Sequence, residues 1–338
     1  MKKYSMVLVA IAVVAVATYV LWPKAKVDQE FAQVVPEETL SATPSLEPSA
    51  SPANIKSSPI PATTPVSTMK PVAKPSVIPS ATPIPSSNSV VVGPRMFVDT
   101  ALPVQTGKTI NVPAGGNFQQ ALDQAKPGDT ILLAAGVTYK GPFTLPNKPG
   151  SGWIIIRSNA PDSKLPAQGK RITPSFASYL PKLISSSGPV IGTAPGAHNY
   201  RFIGIEIAPS SNTFLYEVVS LGADGPASNM PSHIIFDRSY IHGDGQKGSR
   251  HGIVMNSSQT AVIDSYVSDF KEAGADAQAI VSWNGAGPFK ISNDYLEASG
   301  ENLLFGGADP SIPNLVPSDI EIRGNLFSKP LAWKSENW

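Results

Sequence analysis

Four stretches of the chain read alike: FDRSYIHG from Phe236, VIDSYVSD from Val262, ISNDYLEA from Ile291 and IRGNLFSK from Ile322. Aligned, they place Ser239, Ser265, Asp294 and Asn325 in one column and Tyr240, Tyr266, Tyr295 and Leu326 in the next. The following column, Ile241, Val267, Leu296 and Phe327, steps by 26, 29 and 31 residues. A second series lies between them: HGIVMN from His251, QAIVSW from Gln278 and NLLFGG from Asn302, whose centres Ile253, Ile280 and Leu303 are 27 and 23 residues apart. Short strands and turns repeating at this period cannot bury an apolar face singly, so they must stack on one another. The expectation is an all-β parallel solenoid, with equivalent residues about 4.8 Å apart in adjacent rungs. The Ser/Ser/Asp/Asn column then reads as a polar ladder inside the turns and the Tyr column as an aromatic stack. A sandwich would need hairpin signals such as Asn-Gly between alternating runs, and Asn284-Gly285, the one Asn-Gly dipeptide, sits in a long polar stretch.

Everything able to pack follows about Met96. In INVPAGGNFQQALDQAKPGDTILLAAGVTY, Phe118, Ala121, Leu122 and Ala125 fall on one helical face, and Pro127-Gly128-Asp129 stops the helix before the next strand. One short helix followed only by strands is expected. Upstream, Pro, Ser and Thr fill 31 of the 60 positions from Pro36 to Arg95, with no aromatic residue. Such a segment forms no core and reads as a semi-stiff spacer, within a disordered linker at 28–95. At the N-terminus, Lys2 and Lys3 precede an uncharged run of 17 residues from Met6 to Trp22. It reads as a signal anchor holding the protein to the membrane through residues 6–22, or as a signal peptide cleaved after Ala15–Ala17. Either reading places residues 96–338 in the cell envelope or outside the cell.

The stretches GGNFQQALDQAKPGDTILLAAGVTY, AVIDSYVSDF, FKISNDYLEAS and GENLLFGGADPSIPNLVPSDIEIRGNLF resemble right-handed parallel β-helix proteins of the pectin lyase-like superfamily, over roughly residues 110 to 338. The resemblance implies a right-handed parallel β-helix with a short N-terminal capping helix. It is specific for fold and general for activity, because that superfamily contains polysaccharide lyases, glycoside hydrolases, epimerases and non-enzymatic surface proteins. Against that pattern the chain stops at KPLAWKSENW, just after a strand. Either an atypical cap or a C-terminally incomplete domain is expected.

Several activities are excluded outright. The absence of cysteine rules out thiolate catalysis and cysteine-ligated zinc. A net charge of +1 gives no global attraction to nucleic acid. HGDGQKGSRHG carries the G-x-G-x-x-G spacing at Gly243, Gly245 and Gly248, but strands rather than a helix follow it, so it reads as a rung-connecting loop with no nucleotide partner.

The columns flanking the repeats hold His251, Gln278 and Glu301 in one case and His242, Ser268 and Glu297 in the other, which predicts two polar stripes along the coil. A lyase acting on acidic glycans by β-elimination needs a cation for the substrate carboxylate and a base for the neighbouring proton. Arg250 suits the first role, and His251 or Lys271 the second, with Glu301 as a further catalytic candidate. His242, Gln278, Trp283 and Glu297 are expected to bind substrate. No cofactor is required, although Asp269, Glu272 and Asp276 could hold calcium. Glu297 and Glu301 are the carboxyl pair open to a glycoside hydrolase. A non-enzymatic surface β-helix that binds glycan or protein is the alternative from a different class.

Overall fold

The computed structural model describes residues 93–338 apart from 223–225 and 314. The expected anchor at 6–22 and nearly all of the linker at 28–95 lie outside the described residues. Among the described residues no helix is long and apolar enough to cross a membrane.

The strands form three parallel sheets of eight, seven and six members, and the chain visits them in that order on each circuit. One late circuit runs Thr260–Ile263, Tyr266–Phe270 and Gln278–Ser282 before Phe289–Ser292 opens the next. Each sheet contributes a central inward column. Ile131, Ile156, Phe202, Phe236, Val262 and Ile291 stand in register along the eight-stranded sheet, all fully buried. Leu183, Ile207, Ile241, Val267 and Leu296 do so in the seven-stranded sheet, and Ile191, Val219, Ile253 and Ile280 in the six-stranded one. All belong to one continuous core. The chain is a parallel β-helix.

Each rung holds three strands, whereas the aligned repeats show only two runs. The missing boundary is a two-residue turn that leaves the apolar pattern unbroken. Its first residue takes the left-handed conformation at Arg238, Asp264, Asn293 and Gly324, with φ of 47°, 55°, 60° and 65°. Its second residue is the expected polar column. The Ser239 amide donates to Ser265 Oγ at 3.0 Å, the Ser265 amide to Asp294 Oδ1 at 2.7 Å, and the Asp294 amide to Asn325 Oδ1 at 2.7 Å. Short polar side chains are needed here because these amides are buried with no strand partner. The Tyr column stacks beside it: Tyr266 and Tyr295 lie parallel at 4.1 Å, and Tyr240 meets Tyr266 edge-on at 5.8 Å.

The expected helix spans Phe118–Gln124, capped by Asn117, whose side chain accepts from the Gln120 amide. Phe118 packs edge-on against Phe143 at 4.9 Å and Tyr139 at 6.4 Å, so the helix covers the first rungs of the core. The chain is not otherwise strands only. Short 3-10 turns occur at Asp162–Lys164, Pro174–Tyr179, Ala227–Asn229 and Leu331–Ser335.

The first two of these turns belong to a strap, residues 159–181, that fastens the left-handed turn column from outside. The Ile172 amide donates to the Asp264 carbonyl at 2.8 Å, and Arg171 reaches the carbonyls of Asn293 and Gly324 at 2.8 and 3.0 Å. A second strap precedes the first strand. Arg201, wholly buried, pairs with the equally buried Asp237 at 2.7 Å and donates to the Thr100 and Ala101 carbonyls at 3.0 Å each. A buried guanidinium is tolerated only when paired and hydrogen-bonded, and the strap supplies the additional acceptors.

Candidate functional site

On the six-stranded sheet the strands Glu217–Leu221, His251–Met255, Gln278–Ser282 and Leu303–Phe305 are successive neighbours. Their register sets Glu217 beside His251 and His251 beside Gln278. Val281 pairs with Leu304 one rung on. An open cavity of about 400 Å³ lies over this sheet, lined by Tyr216, Arg250, His251, Asp276, Gln278, Trp283 and the 304–308 segment. Val281 and Leu304 are apolar residues of its lining.

Arg250 is fixed from two sides. Its Nε donates to Glu272, its Nη1 donates to the Tyr216 hydroxyl at 2.9 Å, and its guanidinium lies 4.7 Å from the Tyr216 ring centre. Holding a planar fork in this way sets its orientation in advance. The Glu272 partner holds its pKa above the usual arginine value.

His251 is 8% exposed, and its Nδ1 is buried without a hydrogen-bond partner. Burial, and then the neighbouring Arg250 charge, push the imidazole pKa down to about 4. His251 is therefore neutral at pH 7, with a ring nitrogen not engaged by the protein. Tyr216 meets it edge-on at 5.0 Å. Beyond it, Gln278 Nε2 donates to Glu301 Oε2 at 2.6 Å, so the predicted stripe His251, Gln278, Glu301 is continuous.

Arg250, His251, Gln278 and Trp283 are thus brought together, with Glu301 bonded to Gln278. Lys271 is not among them. It is 4% exposed, donates to the Gly245 carbonyl at 2.8 Å and packs 5.2 and 4.8 Å from the ring centres of Trp333 and Trp338, so it is not free to act as a base. The second stripe lies on a different sheet. His242 Nε2 meets Glu206 at 3.1 Å, its ring stacks on Tyr240 at 4.4 Å, and Glu206 also takes Lys182 at 2.7 Å. Glu297 accepts from the Tyr295 hydroxyl and from the Asp269 amide. A bulge between Val267 and Phe270, with Asp269 at φ 62°, shifts Glu297 out of simple register with Ser268. Glu297 and Glu301 consequently have different partners on different sheets, which weakens the hydrolase pair.

The three possible calcium ligands do not gather. Glu272 bonds Arg250, Asp269 faces Lys271 at 3.8 Å, and Asp276 lines the cavity. Among the described residues no group of three acidic or histidine side chains converges.

In the glycine loop, Gly248 (φ 72°) has no room for a side chain, since a Cβ would lie 2.0 Å from the Lys271 carbonyl. A Cβ on Gly243 would meet the Asp269 carbonyl at 2.1 Å, whereas Gly245 faces open space without positive φ. Gly243 and Gly248 are the necessary glycines, and Gly245 is not. Asp244 closes the turn by accepting from the Gln246 and Lys247 amides at 3.0 and 2.8 Å.

Tyr216 is the site residue that the repeat alignment missed. Its signal was positional: Glu217 pairs with His251, so Tyr216 occupies the rung position of Arg250 one circuit earlier. Repeats aligned only from Phe236 onward stop short of it.

No protein-family model matches the chain, and no curated protein does. Among solved structures, an alginate lyase from Paenibacillus sp. str. FPU-7 is similar at 17% identity over 65% of this chain and 98% of that one, with a TM-score of 0.29. Pectate lyase Pel9A is similar at 14% identity over 67% and 62%, with a TM-score of 0.28. At these scores neither bears on activity. The β-helix stands on its own strand pairing.

Proposed function

We propose that the chain is a carbohydrate-active β-helix protein that takes an acidic glycan into the groove at Arg250 and His251 and cleaves it by β-elimination. The observation that carries this reading is the juxtaposition of a pre-oriented guanidinium with a neutral imidazole, both lining an open groove beside Trp283. Arg250 would bind the uronate carboxylate through the N–H groups that Glu272 and Tyr216 leave free, stabilising charge as the adjacent proton leaves. The neutral His251 imidazole would accept that proton. Carboxylate binding beside Arg250 would offset the repulsion that lowers the imidazole pKa, making it a better base when substrate is present. Trp283 would stack on a sugar ring.

A second reading is favoured by one feature: Arg250 is already paired with Glu272, and among the described residues no other cation lines the groove. A non-enzymatic glycan-binding β-helix would need no more than this. Ultraviolet absorbance of the conjugated double bond, followed on a panel of polyuronates, separates the two. Turnover that Arg250→Ala abolishes supports the lyase; glycan binding without absorbance change leaves only the binder.

A further inference from the structure

The strap that precedes the first strand leaves a cavity of about 340 Å³ against the coil, lined by Phe97 and Asp99 of the strap and by Trp153, His233 and Gln259 of the body. It shares no residue with the Arg250 groove. It sits where the chain enters the eight-stranded sheet: Trp153 and Gln259 immediately precede Ile154–Ser158 and Thr260–Ile263, and His233 is the second residue of Ser232–Asp237. The strap wall is held in place. Arg201 donates to the Thr100 and Ala101 carbonyls, Lys290 Nζ to Thr100 Oγ1 at 3.1 Å, and the Arg95 amide to Asp319 at 2.8 Å. These cations fasten the strap, and none of them lines the cavity. Burial, and then the His198 charge, hold the His233 pKa below its ordinary value, so this imidazole is neutral at pH 7.

The lining combines rings with open hydrogen-bonding groups. The Trp153 ring meets His233 edge-on at 6.2 Å, and Phe97 is 61% exposed. Asp99 Oδ1 accepts from the Ala101 amide at 2.9 Å, and among the described residues Oδ2 has no partner. His233 and Gln259 stand in adjacent rungs, both left-handed, with φ of 53° and 48°. Gln adopts that conformation only at a cost in free energy. In the Ser239 column the polar side chain repays its place by holding the amide of the neighbouring rung. The exposed Gln259 side chain instead bonds His233, beside the cavity.

We propose that this cavity is a second, separate saccharide site, which takes a sugar ring without requiring a carboxylate on it. The apolar face of a pyranose would lie against Trp153, with Phe97 at the rim. Its hydroxyls would donate to Asp99 Oδ2 and exchange hydrogen bonds with the Gln259 amide, which both donates and accepts. An aromatic lining with a few polar groups, in a volume near the lower end of the roughly 300–1,000 Å³ of small-molecule sites, suits one or two sugar units. The assignment does not depend on the reading of the Arg250 groove.

Calorimetric titration of the full chain with cellotetraose, maltotetraose and tetra-N-acetylchitotetraose tests it, with tetramethylammonium as a fourth probe because a carboxylate beside aromatic rings can also hold a cation. At least one saccharide should bind with a Kd of about 1 mM or tighter. Asp99→Asn keeps the oxygen that holds the Ala101 amide and replaces the open acceptor, so it should weaken that saccharide about ten-fold with the melting temperature unchanged. Gln259→Asn tolerates the left-handed backbone and shortens the amide, and Trp153→Phe keeps an aromatic ring of smaller area; each should weaken it about five-fold. Binding of none of the three saccharides overturns the proposal, as does binding of tetramethylammonium alone. Saccharide binding that none of the three variants alters places the ligand elsewhere and overturns it too. The polyuronate assay on the Arg250 groove can succeed or fail independently of each of these results.

Discussion

Two polar stripes run along this β-helix, one on the seven-stranded sheet and one on the six-stranded sheet, and they contain much the same residues. In the first, His242 is held by the Gly243 carbonyl and Glu206, Glu206 by Lys182, and Glu297 by Tyr295 and the Asp269 amide. In the second, His251 has a buried nitrogen without a partner, and a cavity opens in front of it. A polar group that the fold has satisfied contributes to the stack, whereas a buried one left unsatisfied costs free energy. Residue type does not distinguish the stripes; hydrogen-bond saturation does.

The sharpest way to break this comparison is to mutate both stripes. With a polyuronate that the wild type cleaves, Arg250→Ala should lower the elimination rate by more than about 100-fold, while His242→Ala should change it less than about three-fold. Comparable losses would mean that the saturated stripe also works chemically. In the connecting loop, Gly248→Ala should destabilise the chain by about 3 kcal/mol, from the close Lys271 carbonyl and the positive φ. Gly245→Ala should stay within about 0.5 kcal/mol, and urea unfolding measures both.

The buried His251 also makes stability depend on pH. Its folded pKa of about 4 lies below the unfolded value, so as pH falls from about 6.5 toward 4 the unfolded state binds a proton that the folded state refuses. Stability should drop over that window by on the order of 3 kcal/mol, and His251→Gln should flatten this part of the curve.

A smaller gain is expected in the turn ladder. Asp294 is fully buried with Oδ2 unpartnered, and burial raises its pKa well above the usual carboxylate value. A group shifted upward contributes most below its unfolded pKa and loses that contribution as pH rises. One rung on, Asn325 serves the same column and donates Nδ2 to the Ile291 carbonyl at 2.8 Å. Asp294→Asn should therefore raise stability at pH 7 by about 1 kcal/mol, with the gain vanishing near pH 4, by thermal melting at the two pH values.

Much of the fold was legible because stacking forces equivalent residues into columns. The Ser239 ladder, the Tyr240 stack and the helix at Phe118 follow from side chains that must repeat when rungs repeat. The three-strand rung was hidden because its tightest turn takes only two residues and interrupts no apolar run. Of the site, Arg250, His251, Gln278 and Trp283 were readable as neighbours in a column and loop. Lys271 was misplaced because its contacts, Gly245, Trp333 and Trp338, come from elsewhere in the chain, which no local spacing reveals. Hydrogen-bond saturation is likewise a property of the assembled coil, so the two stripes could not be ranked from sequence.

Hydrogen–deuterium exchange of the full chain, with and without saturating hyaluronan tetrasaccharide or tetragalacturonate, tests the central claim most directly. Protection is expected in peptides covering Tyr216, Arg250–Gly252, Asp276–Trp283 and Leu304–Ala308, with those covering Tyr240–His242 and Tyr295–Ala298 unchanged. Protection confined to the latter pair would place the ligand on the saturated stripe and contradict the account.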